Sequence, residues 1–164
     1  MHRTAIIAGS VVAALATGGV LAVSGGAQSP TGQTIKLVTK NCKFNFIDVP
    51  PKGKSRSAPP GSGDSAVFSC PAFDEAGARA GTLEATSTFT KGGKAARAVA
   101  TGVYDLANGN IYASVLFSIQ GSTTTGVITG GDGAYVGARG TIKTFDRPGE
   151  KGGDPSDDTL TLLP

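Results

Sequence analysis

Two glycine turns, Gly92-Gly93 and Asn108-Gly109, divide the middle of this chain into runs in which apolar or small residues alternate with polar ones. A side-chain period of two belongs to β-strands, and tight glycine turns between such runs make hairpins. Asn-Gly favours a type I′ turn. With Asn108-Gly109 at the tip, Leu106 stands opposite Ile111, Tyr104 opposite Ala113, Gly102 opposite Val115 and Ala100 opposite Phe117. With Gly92-Gly93 at the next tip, Phe89 stands opposite Ala96, Ser87 opposite Ala98, Ala85 opposite Ala100 and Leu83 opposite Gly102. Both turns bring the same apolar face inward and leave Thr82, Glu84, Thr86, Thr88, Arg97 and Asp105 outside. Their agreement is informative, because a slip of one residue would turn every side chain over.

The same pattern extends over the rest of the chain. Past residue 33 no helical periodicity is visible, and β-branched, Thr-rich runs are separated by glycine turns at regular spacing. These features predict an all-β barrel or sandwich, with strands at 34–48, 65–72, 79–90, 95–106, 110–119, 123–130, 138–145 and 158–163. The Pro/Gly/Ser-rich stretch at 50–63 and a second at 147–157 read as exposed loops.

The first 27 residues have a different character. His2 and Arg3 precede an uncharged apolar run that closes in small residues, with Ser24 or Ala27 as the last residue before cleavage. That order is the layout of a secretory signal peptide, and the alternative is an uncleaved membrane anchor. Cleavage would remove the only histidine and the only methionine of the 164-residue chain. A mature protein without histidine runs neither a Ser-His-Asp nor a Cys-His mechanism and binds no zinc through imidazole. Its net charge of about +2 is scattered, with no basic stripe and no aromatic-basic interleaving, so nucleic acid is not an expected partner. The expected setting is extracellular, with no membrane association once the leader is removed.

Two cysteines, Cys42 and Cys70, suit an oxidising compartment and read as a structural disulfide. Placing them opposite each other on antiparallel strands puts Phe44 opposite Phe68 and Phe46 opposite Ala66, a sensible aromatic pairing. The bond would close the Pro-rich loop and stabilise the chain by roughly 3 kcal/mol.

The stretch "ITGGDGAYVGARGTI" at 128–142 admits two readings, a phosphate cradle or a barrel corner. A dinucleotide turn needs a helix after its glycines, whereas the strand-like "ARGTIKTF" follows here, and no P-loop sequence occurs. The corner is the better reading, with Tyr135 capping the turn. The stretch resembles the late glycine motif of the bacterial allene oxide cyclase-like barrel family and, more distantly, that of plant dirigent proteins. "DSAVFSCPAFDEAGARAGTLEATSTF" at 64–89 is similar to their second and third strands, and "DDTLTLLP" to their closing strand. What the resemblance implies is an eight-stranded antiparallel calycin-like barrel, and relatives that guide cyclisations of apolar substrates or have no known activity. Here the cysteines fall on the first two strands rather than on the third and fourth, where bacterial relatives often carry a pair, and no complete catalytic set carries over. The expected organisation is a signal peptide at 1–27, a linker at 28–33 and a barrel domain at 34–164.

The expected lumen lining is Leu83, Phe89, Tyr104, Val115 and Phe117, beside many alanines and glycines that leave space for a small apolar molecule. Tyr104 is the best internal hydroxyl for catalysis. Arg139, the charged residue inside the glycine motif apart from Asp132, is the second candidate, although a strand-edge or outward-facing role is the better reading of it. The central strands offer no lumenal carboxylate for acid–base work, so an enzyme here would be an isomerase or cyclase acting through confinement. A non-catalytic carrier and a structural or surface-interaction protein are the alternatives. Val99, Val103, Tyr112 and Leu116 form an outer apolar group suited to a homo-oligomer contact. No cofactor and no metal are expected.

Overall fold

The computed structural model describes residues 32–49, 59–150 and 155–164. The expected leader at 1–27, and with it the cleavage site, lies outside the described residues.

The chain forms a closed antiparallel β-barrel. Its strands are β1 (Thr34–Thr39), β2 (Lys43–Ile47), β3 (Ser65–Phe73), β4 (Arg79–Lys91), β5 (Arg97–Leu106), β6 (Gly109–Ser118), β7 (Thr123–Gly131), β8 (Gly140–Asp146) and β9 (Ser156–Leu162). They are hydrogen-bonded in the order β1-β9-β8-β7-β6-β5-β4-β3-β2, and β1 also pairs with β3, which closes the ring. The single strand expected at 34–48 is bent in two at Lys40–Cys42, where Asn41 takes a positive φ of 56°. β1 and β2 are the two halves of that strand, so the barrel has eight staves. The bend lets β1 bridge β9 and β3 while β2 runs on along β3 alone.

The pairing of β2 with β3 is the expected one, with Phe44 opposite Phe68 and Phe46 opposite Ala66. Cys42 and Cys70 are joined in a disulfide at its start, and the Phe44 and Phe68 rings stack with centroids 5.9 Å apart.

The two glycine turns set the inward face as expected, but each hairpin register is displaced by two residues. Leu83 opposes Tyr104 rather than Gly102, and Tyr104 opposes Ile111 rather than Ala113. An even displacement preserves every face, which is why the inside survives the correction. At β5–β6 the turn residues are Ala107 and Asn108, with Leu106 opposite Gly109, so the expected type I′ turn is not formed. Gly109 is taken up by a close approach instead: a Cβ there would overlap the Asp132 carbonyl oxygen, and one at Gly133 would lie 2.6 Å from that of Asn108. At β4–β5 a bulge between Phe89 and Lys91 widens the loop, and Ala96 is buried beneath it.

The glycine stretch is a barrel corner. β7 ends at Gly131, a short 3-10 helix covers Gly133–Tyr135, and β8 resumes at Gly140. Asp132 holds the corner to β6: its Oδ1 accepts the Asn110 amide at 2.9 Å, and its Oδ2 accepts the Asn110 side-chain amide at 2.9 Å and the Tyr112 hydroxyl at 2.7 Å. Those bonds, Asn110 first, lower the Asp132 pKa. Tyr135 is buried under this end of the barrel with Leu37, Ile111, Ile128, Ile142, Leu160 and Leu162, so one end is plugged by a packed core.

Candidate functional site

Above that plug the barrel is hollow. A cavity of about 570 Å³ extends from Tyr104, which belongs also to the packed core, toward the end lined by Phe89, Phe117 and Ile119. All five residues expected to line the lumen do so: Leu83, Phe89, Tyr104, Val115 and Phe117. Phe44 also lines it yet is 65% exposed. That exposure marks an opening along β2, whose second edge pairs with no strand among the described residues. A larger hollow of about 930 Å³ lies on the outside, between residues such as Val67, Thr86, Val103 and Tyr112. It is open to solvent and is a surface concavity rather than an enclosed site.

The lumen has two unlike walls. The wall from β2 to β6 presents Phe44, Phe68, Leu83, Ala85, Phe89, Ala100, Val115 and Phe117, interrupted by Ser87 and by the Tyr104 hydroxyl. The facing wall, from β7 through β8 and β9 to β1, presents Thr124, Thr144, Asp146, Ser156, Asp158 and Thr39 around the aliphatic Ile142. The expectation of a lumen free of carboxylates is therefore corrected. The central strands bring no carboxylate to the lumen, and the two present, Asp146 and Asp158, come from the last two strands. The sequence does carry a signal for Asp158: Leu162 and Leu160 point inward, and the period of two along β9 carries that face on to residue 158.

Asp158 is 2% exposed. Thr144 Oγ1 donates to its Oδ1 at 2.7 Å and Thr39 Oγ1 to its Oδ2 at 3.2 Å. The Tyr104 hydroxyl is a further side-chain hydrogen-bond partner. Burial, which disfavours the ion, pushes the carboxyl up to about 6. The bonds from Thr144, Tyr104 and Thr39 act the other way, and neighbouring Asp146 adds to the rise. Burial, and then the carboxylate beside it, raises Tyr104 well above the ordinary phenol value. Tyr104 is therefore a neutral hydroxyl donor, while Asp158 changes charge near neutral pH. Tyr104 stands on β5 of the apolar wall and Asp158 on β9 of the polar one, so the couple joins the two walls beside the packed core.

Arg139 does not join them. It is exposed, and its Nη2 donates to the Pro164 carbonyl at 2.9 Å. Alternation puts it opposite in sense to Ala138 and Gly140, both buried. Glu84 and Asp105 are exposed on the outer surface, as are Val99, Tyr112 and Leu116 of the expected outer apolar group, with Val103 half-buried. No group of His, Cys, Asp and Glu suited to a metal ion occurs among the described residues. No helix among them is long and apolar enough to cross a membrane.

Solved structures share this architecture. A pyocyanin demethylase superposes with a TM-score of 0.65 at 23% identity, over 80% of this chain and 100% of its own. The chain has the fold of the dirigent and cyclase barrels. A pterocarpan synthase dirigent protein matches with a TM-score of 0.63 at 13% identity, over 83% of this chain and 97% of its own. A cyclase described as heme-binding and as catalysing a cycloaddition matches at 0.62 and 16% identity, over 81% of this chain and 68% of its own. No protein-family model and no curated protein sequence matches the chain, so the likeness is one of fold.

Proposed function

We propose that this protein is secreted, binds a small apolar molecule in the barrel lumen and steers its cyclisation or isomerisation. The observation that carries the proposal is the pairing of an open-ended apolar cavity with the buried Tyr104–Asp158 couple beside its plugged end. An apolar wall confines a flexible substrate in one shape, which removes much of the entropic barrier to ring closure. Tyr104 gives its one hydroxyl proton to the Asp158 carboxylate and can donate it to a substrate oxygen once Asp158 is protonated. Asp158, with a pKa near the working pH, takes a proton from one position and returns it to another, so an isomerisation leaves the protein unchanged. The likeness of the fold to a pyocyanin demethylase, a pterocarpan synthase dirigent protein and a cyclase supports a barrel that works on small organic molecules. The leader-like residues 1–27 and the disulfide support secretion, and N-terminal sequencing of exported material should find a chain beginning between residues 25 and 28.

Filling the cavity tests the site. Ala100 is 5% exposed and points into it, so Ala100→Phe should abolish binding of an apolar fluorescent probe while circular dichroism keeps its β-rich form. Gly102 is a poorer choice, because a Cβ there would sit 2.9 Å from that of Ala85. The outward changes Glu84→Ala and Asp105→Ala should leave probe binding as it is. Loss of binding on the outer changes, with Ala100→Phe silent, would place the site elsewhere.

A further inference from the structure

The charge of the cavity lining narrows the class of occupant. Asp158 and Asp146 both line the cavity, and no Lys, Arg or His does so among the described residues. Lys143 of β8 is exposed and does not line it, and Arg147, the residue after β8, is engaged by other carboxylates, with Nη1 2.9 Å from Glu150 and Nη2 3.1 Å from Asp157. Asp158 accepts hydrogen bonds from neutral hydroxyls only, so its charge is solvated but not balanced. Asp146 Oδ1 accepts the Ser156 hydroxyl at 2.8 Å, again a neutral donor. A partly desolvated carboxylate attracts a cation far more strongly than one in water and disfavours an anion equally.

We infer that the lumen takes a ligand with an apolar, ring-bearing body and one cationic nitrogen, the body against Phe44, Phe68, Phe89 and Phe117 and the cation at Asp158 and Asp146. The inference rests on the lumen being the ligand site proposed above and adds the charge of its occupant. It also fits the chemistry, because a cationic nitrogen acidifies adjacent C–H and N–H groups and lowers the demand on a carboxylate base.

Three probes of one shape isolate the charge: 1-naphthylmethylamine, protonated at pH 7.5, neutral 1-naphthalenemethanol and anionic 1-naphthoate, each titrated calorimetrically into the disulfide-intact protein. The amine should bind about tenfold or more tightly than the alcohol, and the naphthoate most weakly. Asp158→Asn should bring the amine and the alcohol to within about threefold of each other without weakening the alcohol. The exterior change Glu84→Gln should leave the preference intact. Equal binding of amine and alcohol, or naphthoate binding as tightly as the amine, overturns the charge inference and leaves the apolar-lumen reading standing. So does a preference that survives both Asp158→Asn and Asp146→Asn. Failure of all three probes overturns the lumen site itself, and this inference with it.

Discussion

The two walls of the lumen are made by the same rule and have opposite characters. Along β4, β5 and β6 the inward positions are alanine, glycine and large apolar residues apart from Ser87 and the Tyr104 hydroxyl, and the glycine turns between these strands make their faces legible. Along β8, β9 and β1 the inward positions pass from aliphatic at the plugged end, Leu37, Ile142, Leu160 and Leu162, to polar at the hollow end, Thr39, Thr144, Asp146 and Asp158. The first wall offers volume and shape. The second offers hydrogen bonds and charge, at a cost in stability, since a buried ion is disfavoured unless its surroundings compensate. A barrel built only to be stable would fill the hollow half as it fills the plugged half.

The largest change in stability expected concerns the edge of the apolar wall. Cys42→Ser with Cys70→Ala frees a loop of sequence separation 28, and about 3.5 kcal/mol of unfolding free energy should be lost in urea titrations. Retention of full stability would show that β2 is held by packing alone.

The polar wall should respond with the opposite sign. Asp158 has a folded pKa of about 6 against an ordinary value of 3.8, so the folded state binds its proton more tightly than the unfolded state does. Stability therefore falls as pH rises from about 4 to about 6, and above that window the deficit is complete, at about 3 kcal/mol. Asp158→Asn should recover most of it at pH 7 and none below pH 4, measured by denaturation at both pH values. A variant less stable at pH 7 would mean that the carboxylate holds the wall together.

Thr144→Val should be milder. It removes the shortest hydrogen bond to Asp158 and should destabilise the protein by about 2 kcal/mol at pH 7, and by less at pH 4, where the carboxyl is neutral. It should also move the pH window upward, a shift that a simple packing defect would not produce. The smallest effects belong outside the barrel, where Glu84→Ala and Asp105→Ala should change stability by no more than about 0.5 kcal/mol. A large effect there would erase the distinction between lumen and exterior.

Alternation and turn chemistry are local properties, and they sufficed for the all-β architecture, the inward face of β4 to β6, the Phe44–Phe68 register with its disulfide, and the corner at residues 128–142. They put each hairpin register two residues away from the observed one: at β5–β6 Gly109 packs against Asp132, 23 residues along the chain, and at β4–β5 a bulge falls between Phe89 and Lys91. The bend at Asn41 belongs to the same kind, since it answers the need of β1 to reach both β3 and β9. Asp158 shows the division most clearly. Its inward direction is written in the period of two that it shares with Leu160 and Leu162. Its burial, its raised pKa and its partners Thr39, Tyr104 and Thr144 exist only once ring closure brings β1, β5, β8 and β9 around one space. The direction of a side chain follows from its own strand, but the dielectric and the hydrogen bonds that set its chemistry are supplied by other strands, here the neighbours β1 and β8 and the distant β5.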